Sequence, residues 1–272
     1  MSFTGKIIEK IPTISQEILD NRYNKTKLLG KGVNGEVYLA YDTIEKKDIA
    51  VKIVAFTGFL NKYKNILNDI RDFTVNKKLN NAHLVKYYDI YRLDDKVVIT
   101  MEYVKGWELD KAFIFKKLKL VGIPFWKVAS QLLEVTKYLK RMNVRHNDIH
   151  GGNIMITRDA HLYLIDYGWM CNVKATNFTK CGKKSPTGKE DEKAVAQILY
   201  DLHFGDSFLG YSKIAKLNAY LNNEVKFKSK TIGEETEDEC KSVERFLTKL
   251  YNEEYTFGQA LAITEHKLEI LT

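Results

Sequence analysis

The sequence predicts an α+β chain built as a β-rich part followed by an α-rich part. Between Tyr23 and Tyr103, short runs of β-branched and aromatic residues recur at strand length, separated by turn-forming residues. Beyond Gly106 the apolar residues change to helical spacing over longer stretches. A chain of 272 residues suffices for one large domain or for two lobes. The change of pattern puts a hinge near Glu102 to Gly106.

Taken in order, residues 1–22 read as a leader packed outside the core, with a helical turn or two around Ile14 to Leu19. Strands follow at Lys27 to Leu29, Glu36 to Ala40, Ile49 to Val54, Lys86 to Arg92 and Val97 to Tyr103, with Asp94-Asp95 as the turn between the last two. One helix interrupts them, its apolar residues Ile66, Ile70 and Phe73 spaced i, i+4, i+7. The later helices fall at Phe125 to Met142, Glu190 to Phe204 and Cys240 to Tyr251, while the charged stretch from Lys226 to Lys241 reads as an exposed loop. The domain organisation is therefore a leader (1–22), a β-rich lobe (23–104) and a helical lobe (105–272), without internal repeats.

Composition narrows the class. Apolar residues make up 44% and charged ones 29%, ordinary proportions for a soluble globular chain. The net charge of +8 comes from lysines spread along the whole sequence and no nucleic-acid motif accompanies them, so a nucleic-acid partner is not expected. No apolar run reaches the roughly 18 residues of a membrane helix. Met1 to Lys6 is not followed by a signal-peptide core, and Ser2 excludes the N-myristoylation pattern. Three cysteines (Cys171, Cys181 and Cys240) without metal-ligand spacing suggest a reducing compartment, and a cytoplasmic location follows.

Three motifs carry chemistry. Gly30, Gly32 and Gly35 lie between Leu29 and Val37, so their loop joins two strands instead of opening a helix. That geometry suits a lid over phosphates and not a dinucleotide-binding turn. His146-Asn147-Asp148 is followed by Asn153, and Asp166-Tyr167-Gly168 comes after an apolar strand. An Asp with an Asn five residues on can place a base beside a metal ligand, and a second Asp can hold that metal against phosphates. With Lys52 between the first two motifs, the set resembles the protein kinase superfamily from about Tyr23 to the C-terminus.

The resemblance implies a bilobal protein-kinase-like fold with a shortened C-terminal lobe, and ATP and Mg²⁺ as cofactors. By it, Lys52 grips the α- and β-phosphates under the three glycines, and Val37 and Ala50 close over the adenine. Met155 belongs to the same nucleotide-binding set. Backbone groups of Glu102 and Val104 contact the base, and Glu108 holds the ribose or a basic substrate side chain, unless it is simply a solvent glutamate at a helix start. Asp148 accepts or aligns the attacking hydroxyl's proton, and Asn153 and Asp166 bind Mg²⁺. His146 is a packing histidine, Tyr167 fills an apolar slot beside Gly168 with a hydroxyl that needs a partner, and Asp191 braces the catalytic loop through backbone N–H groups. Lys52 also requires an acid on the helix behind it. Counting back from Leu84-Val85 favours Asp72, and Asp69 competes because Phe73 lies four residues after it.

Departures from the family pattern bear on substrate and control. Asn147 replaces the arginine that pairs with an activation-loop phosphate, so switching by that route is not expected. His150 replaces a lysine and is similar to the catalytic loop of aminoglycoside and choline phosphotransferases. Between Asp166 and Asp191 there is no Ala-Pro-Glu, and its partner arginine is missing near Asn252 to Phe257. The leading expectation is a serine/threonine protein kinase with a trimmed activation segment. A small-molecule phosphotransferase and a nucleotide-binding pseudokinase are the alternatives. Lys174, Lys180, Lys183, Lys184 and Lys189 form either a solvated loop or a docking site for an acidic or phosphorylated protein substrate. Thr176, Thr179, Ser185 and Thr187 are positioned for autophosphorylation, and Cys171 and Cys181 are close enough in sequence to pair when oxidised. Such pared-down kinases occur among viruses and secreted bacterial effectors, for which the location is host cytoplasm.

Overall fold

The computed structural model describes residues 8–32, 35–55, 64–114, 125–167, 169–177, 191–204, 237–252 and 254–271. The chain has the expected α+β composition and divides into two compact units, Met1–Val104 with Asp166–Cys181, and Lys105–Ile165 with Gly182–Thr272. The segment from Asp166 thus groups with the first unit, whereas the linear reading assigns it to the helical lobe.

In the first unit, helix α1 (Gln16–Arg22) leads into strands β1 (Tyr23–Gly32), β2 (Gly35–Asp42) and β3 (Lys47–Ala55). Helix α2 (Lys64–Asn76) follows, then β4 (Tyr87–Leu93) and β5 (Lys96–Glu102). The five strands form one sheet in the order β1-β2-β3-β5-β4, with every pairing antiparallel. Alternation decides which side chains face inward: Ile49, Val51, Val98 and Ala40 are buried on one core cluster.

The leader is not peripheral. Ile14 and Leu19 belong to that same cluster, and Ile8 and Ile11 are also buried. Pro12 accepts from the Arg92 N–H at 2.8 Å, and Ile14 donates to the Arg92 carbonyl at 2.9 Å, making a parallel bridge at Thr13. Because β4 is an edge strand, this segment satisfies backbone groups that an open edge would expose. Ser15 caps α1 by accepting from Ile18 N, with Glu17 in its first turn and Arg22 in its last, both favourable to the helix dipole.

The second unit carries β6 (Gly106–Glu108), α3 (Leu109–Ile114) and α4 (Phe125–Arg141), then β7 (Ile154–Thr157) and β8 (Leu162–Leu164). Helices α5 (Asp191–Phe204), α6 (Glu237–Tyr251) and α7 (Phe257–Leu271) complete it. Helix α4 is its centre, burying Val128, Leu132, Val135 and Leu139 along one face, and it packs against α5 and α7. Gln131 ties the small sheet to α4, its Oε1 accepting from Leu162 N and its Nε2 donating to Ala160 O, each at 2.9 Å. Helix α7 lies beyond the expected elements. Helix α6 begins at Glu237, so the end of the expected loop at Lys226 to Lys241 is helical, and its residues 226–236 lie outside those described. Among the described residues no helix is long and apolar enough to cross a membrane.

Candidate active site

The first unit supplies a buried charge cluster. Lys52 sits on β3 opposite Val37 on one side and Ile99 on the other, a register that turns its side chain into the interior. Its Nζ meets Asp69 Oδ1 at 2.7 Å and Asp166 Oδ1 at 3.8 Å. Lys52 therefore pairs with Asp69, and the spacing argument for Asp72 is corrected. Asp69 lies one turn earlier on the inner face of α2, and Phe73, four residues on, stacks on Tyr87 at 6.4 Å between ring centroids. Burial alone would lower the Lys52 pKa, but the charges of Asp69 first and Asp166 next outweigh it and raise it. Burial pushes the Asp69 pKa up, and the charge of Lys52 2.7 Å away opposes it.

Asp72 is wholly buried, and neither of its carboxyl oxygens has a hydrogen-bond partner among the described residues. Burial, then the nearby Asp69 charge, raises its pKa well above the usual carboxylate value, which favours the neutral acid.

Asp166 has a left-handed backbone, φ 54°, a conformation that Asp tolerates better than most side chains. The next residue, Tyr167, is fully buried, its ring 5.3 Å from that of Tyr87 and its hydroxyl donating to Val85 O at 3.2 Å. Asn76 fixes the same stretch, donating to Val85 O and accepting from Tyr87 N, both at 3.0 Å. Gly168 lies outside the described residues. Gly30, Gly32 and Gly35 lie on β1 and β2, and the tip of their loop, Val33-Asn34, is likewise outside. Gly35 has φ +116°, and a Cβ there would stand 2.3 Å from Ile53 O, so only glycine fits. Ala50 is buried, opposite Leu39 and Met101. At Glu102 the N–H is spent on Lys86 O at 2.8 Å and the carboxylate accepts from Lys86 N, so a base contact from its backbone has to use the carbonyl. Val104 closes the first unit as a half-buried residue without regular structure.

In the second unit the loop after α4 carries the other group. Asn153 Nδ2 donates both to the Asp148 carbonyl at 3.0 Å and to Asp148 Oδ2 at 3.1 Å. Both acceptors demand the amide nitrogen, which leaves the Asn153 side-chain carbonyl oxygen as the atom that could meet a cation. Asp191, at the start of α5, accepts from His146 N and Asn147 N, each at 2.8 Å. These bonds hold Asn147 in its left-handed conformation, φ 66°. Burial raises the Asp191 pKa and the two N–H bonds oppose it. His146 is fully buried. Glu108 Oε1 is held by Lys111 Nζ at 2.6 Å, and Met155 stands opposite Glu108 in the β6–β7 register. Asp110 is a further carboxylate near His150 and Gly152, which the sequence signals only as one acid in a helix start.

Cys171 is buried and disulfide-bonded. Of the lysine-rich segment, Lys174 is described and exposed, and Lys180, Lys183, Lys184 and Lys189 lie outside the described residues.

A model of the protein kinase domain matches residues 23–188, more than half of the chain. This protein belongs to the protein kinase family. It is 34% identical over 146 residues to a probable serine/threonine-protein kinase of Dictyostelium discoideum, covering 54% of this chain and 16% of that one. It is 27% identical over 284 residues to myosin light chain kinase family member 4 of Homo sapiens, covering 95% and 71%. A probable serine/threonine-protein kinase of Bacillus subtilis is 26% identical over 167 residues, covering 60% and 64%. The chain thus spans about one-sixth of the Dictyostelium relative and about two-thirds of the bacterial one.

Proposed function

We propose that this chain is an ATP- and Mg²⁺-dependent kinase that transfers the γ-phosphoryl group to serine or threonine hydroxyls of protein. The observation that carries the reading is the buried Lys52–Asp69 ion pair with Asp166 beside it. A lysine with 8% of its side chain exposed is costly to keep charged, and phosphate recognition gives it a use. Lys52 would hold the phosphates. The Asn153 carbonyl and the Asp166 carboxylate are hard oxygen donors of the kind that suit Mg²⁺. Bound Mg²⁺ would neutralise phosphate charge. Asp148, its orientation set by Asn153, would take the acceptor hydroxyl's proton. Asp191 keeps the catalytic loop in shape through His146 N and Asn147 N.

Serine/threonine relatives support the protein acceptor, and the lysine-rich segment around Lys174 favours an acidic or already phosphorylated one. The second reading, a small-molecule phosphotransferase, is supported by His150. Incubation with Mg²⁺ and γ-labelled ATP, followed by phosphoamino-acid analysis, separates the two. Label on serine or threonine is expected. ADP release with no labelled protein would transfer the proposal to small hydroxylated or amine-bearing acceptors.

A further inference from the structure

His150 caps the short 3₁₀ turn Gly151–Asn153, its Nδ1 accepting from Gly152 N at 3.1 Å. A backbone amide can only donate, so Nδ1 must present its lone pair. While that bond stands, the imidazole carries its single proton on Nε2. Nε2 in turn faces Asp148 Oδ2 at 3.9 Å. Gly152 makes room for this arrangement: a Cβ there would lie 3.0 Å from His150 Cε1, 3.1 Å from Nδ1 and 3.4 Å from Asp110 Oδ2. The cap bond thus holds the ring in a space that a side chain at position 152 would crowd.

Two consequences follow. His150 has no lone pair free to act as a base, so the proton of an acceptor hydroxyl falls to Asp148. Among the described residues, Asn153 Nδ2 donates to Asp148 Oδ2 at 3.1 Å, and the same oxygen is the one that His150 Nε2 approaches, at 3.9 Å. The proton-accepting oxygen is then Oδ1. The 3.9 Å separation is just beyond hydrogen-bond reach, and contacts of this kind tighten when substrate is bound.

We propose that His150 is a positioning residue for Asp148: its Nε2–H holds Oδ2 and so aims Oδ1 at the acceptor hydroxyl. The role rests on the phosphotransfer reading above. A neutral donor here orients the base without adding the fixed positive charge that would weaken it.

Two substitutions separate the ring's two bonds. His150→Asn retains an oxygen to accept from Gly152 N but has no donor at the Nε2 position. His150→Gln retains an amide donor there and loses the cap. With the full chain, Mg²⁺ and ATP, His150→Asn is expected to lower kcat by about tenfold to a hundredfold, the usual loss for an orienting partner. Its KM for ATP and its melting temperature should stay near wild type. His150→Gln should recover most of kcat while melting lower. Nitrogen-15 NMR of the wild-type ring, which needs no activity, should show the Nε2–H tautomer. A wild-type kcat in His150→Asn, losses in both variants that simply track melting temperature, or an Nδ1–H tautomer would each overturn the role alone. No ADP from the wild type would overturn the phosphotransfer reading, and the role with it.

Discussion

Asp69 and Asp72 lie three residues apart on one helix face, and the fold treats them oppositely. Asp69 pairs with Lys52 at 2.7 Å, whereas Asp72 is buried without a hydrogen-bond partner among the described residues. Because burial raises the Asp72 pKa above its unfolded value, the native state binds the extra proton. Its contribution to stability is fully present below the unfolded pKa near 4 and is lost as pH rises through the folded value. Asp72→Asn should remove that slope and stabilise the protein on the order of 1 kcal/mol at pH 8, as read from melting temperature against pH. Asp69→Asn should instead abolish most ATP turnover, while Asp72→Asn keeps it. The reverse pattern would reinstate the spacing argument. The sequence singles out Lys52, Asp148, Asn153 and Asp166 because the order and intervals of their motifs match one chemistry. The choice between Asp69 and Asp72 is not legible by counting, since a one-turn error leaves the residue on the same face. The usable signal is Phe73, placed by its i+4 relation to Asp69 against Tyr87.

At the scale of elements, the five strands and helix α2 are readable because each combines turn signals with a clear period. The leader is misjudged for a physical reason: its partner, β4, lies some 80 residues away, and a bridge at one residue leaves no periodicity. Its apolar residues Ile8, Ile11, Ile14 and Leu19 are nonetheless buried, Ile14 and Leu19 within the sheet's core cluster. Leu19→Ala should cost about 2–5 kcal/mol, the range for emptying a buried leucine site, measurable by denaturant unfolding. An effect under about 0.5 kcal/mol would mean that the leader is an ornament on the surface. Helix α7 is a different kind of miss. Phe257, Ala260, Leu261 and Thr264 do follow helical spacing and are buried, but a small and a polar residue in that stripe weaken its apolar signal.

For the whole molecule, the order of motifs points to the family before any coordinates, and the change from strand to helix period puts a hinge near Glu102 to Gly106. What linear order hides is that Asp166 and Tyr167, although later in sequence than the catalytic loop, group with the strands of the first unit. The hydroxyl of Tyr167 and the carboxylate of Asp166 find their contacts in Val85 and Lys52, both distant along the chain. The central claim is the proposed function itself, phosphoryl transfer by this chain with Asp148 as the proton acceptor. Its most direct test is Mg²⁺-dependent ADP release by purified wild type beside Asp148→Asn. The account predicts turnover in the wild type and a fall of about a hundredfold or more in the variant, with ATP still bound by both. Equal rates in the two proteins, or bound nucleotide without turnover in either, would contradict it.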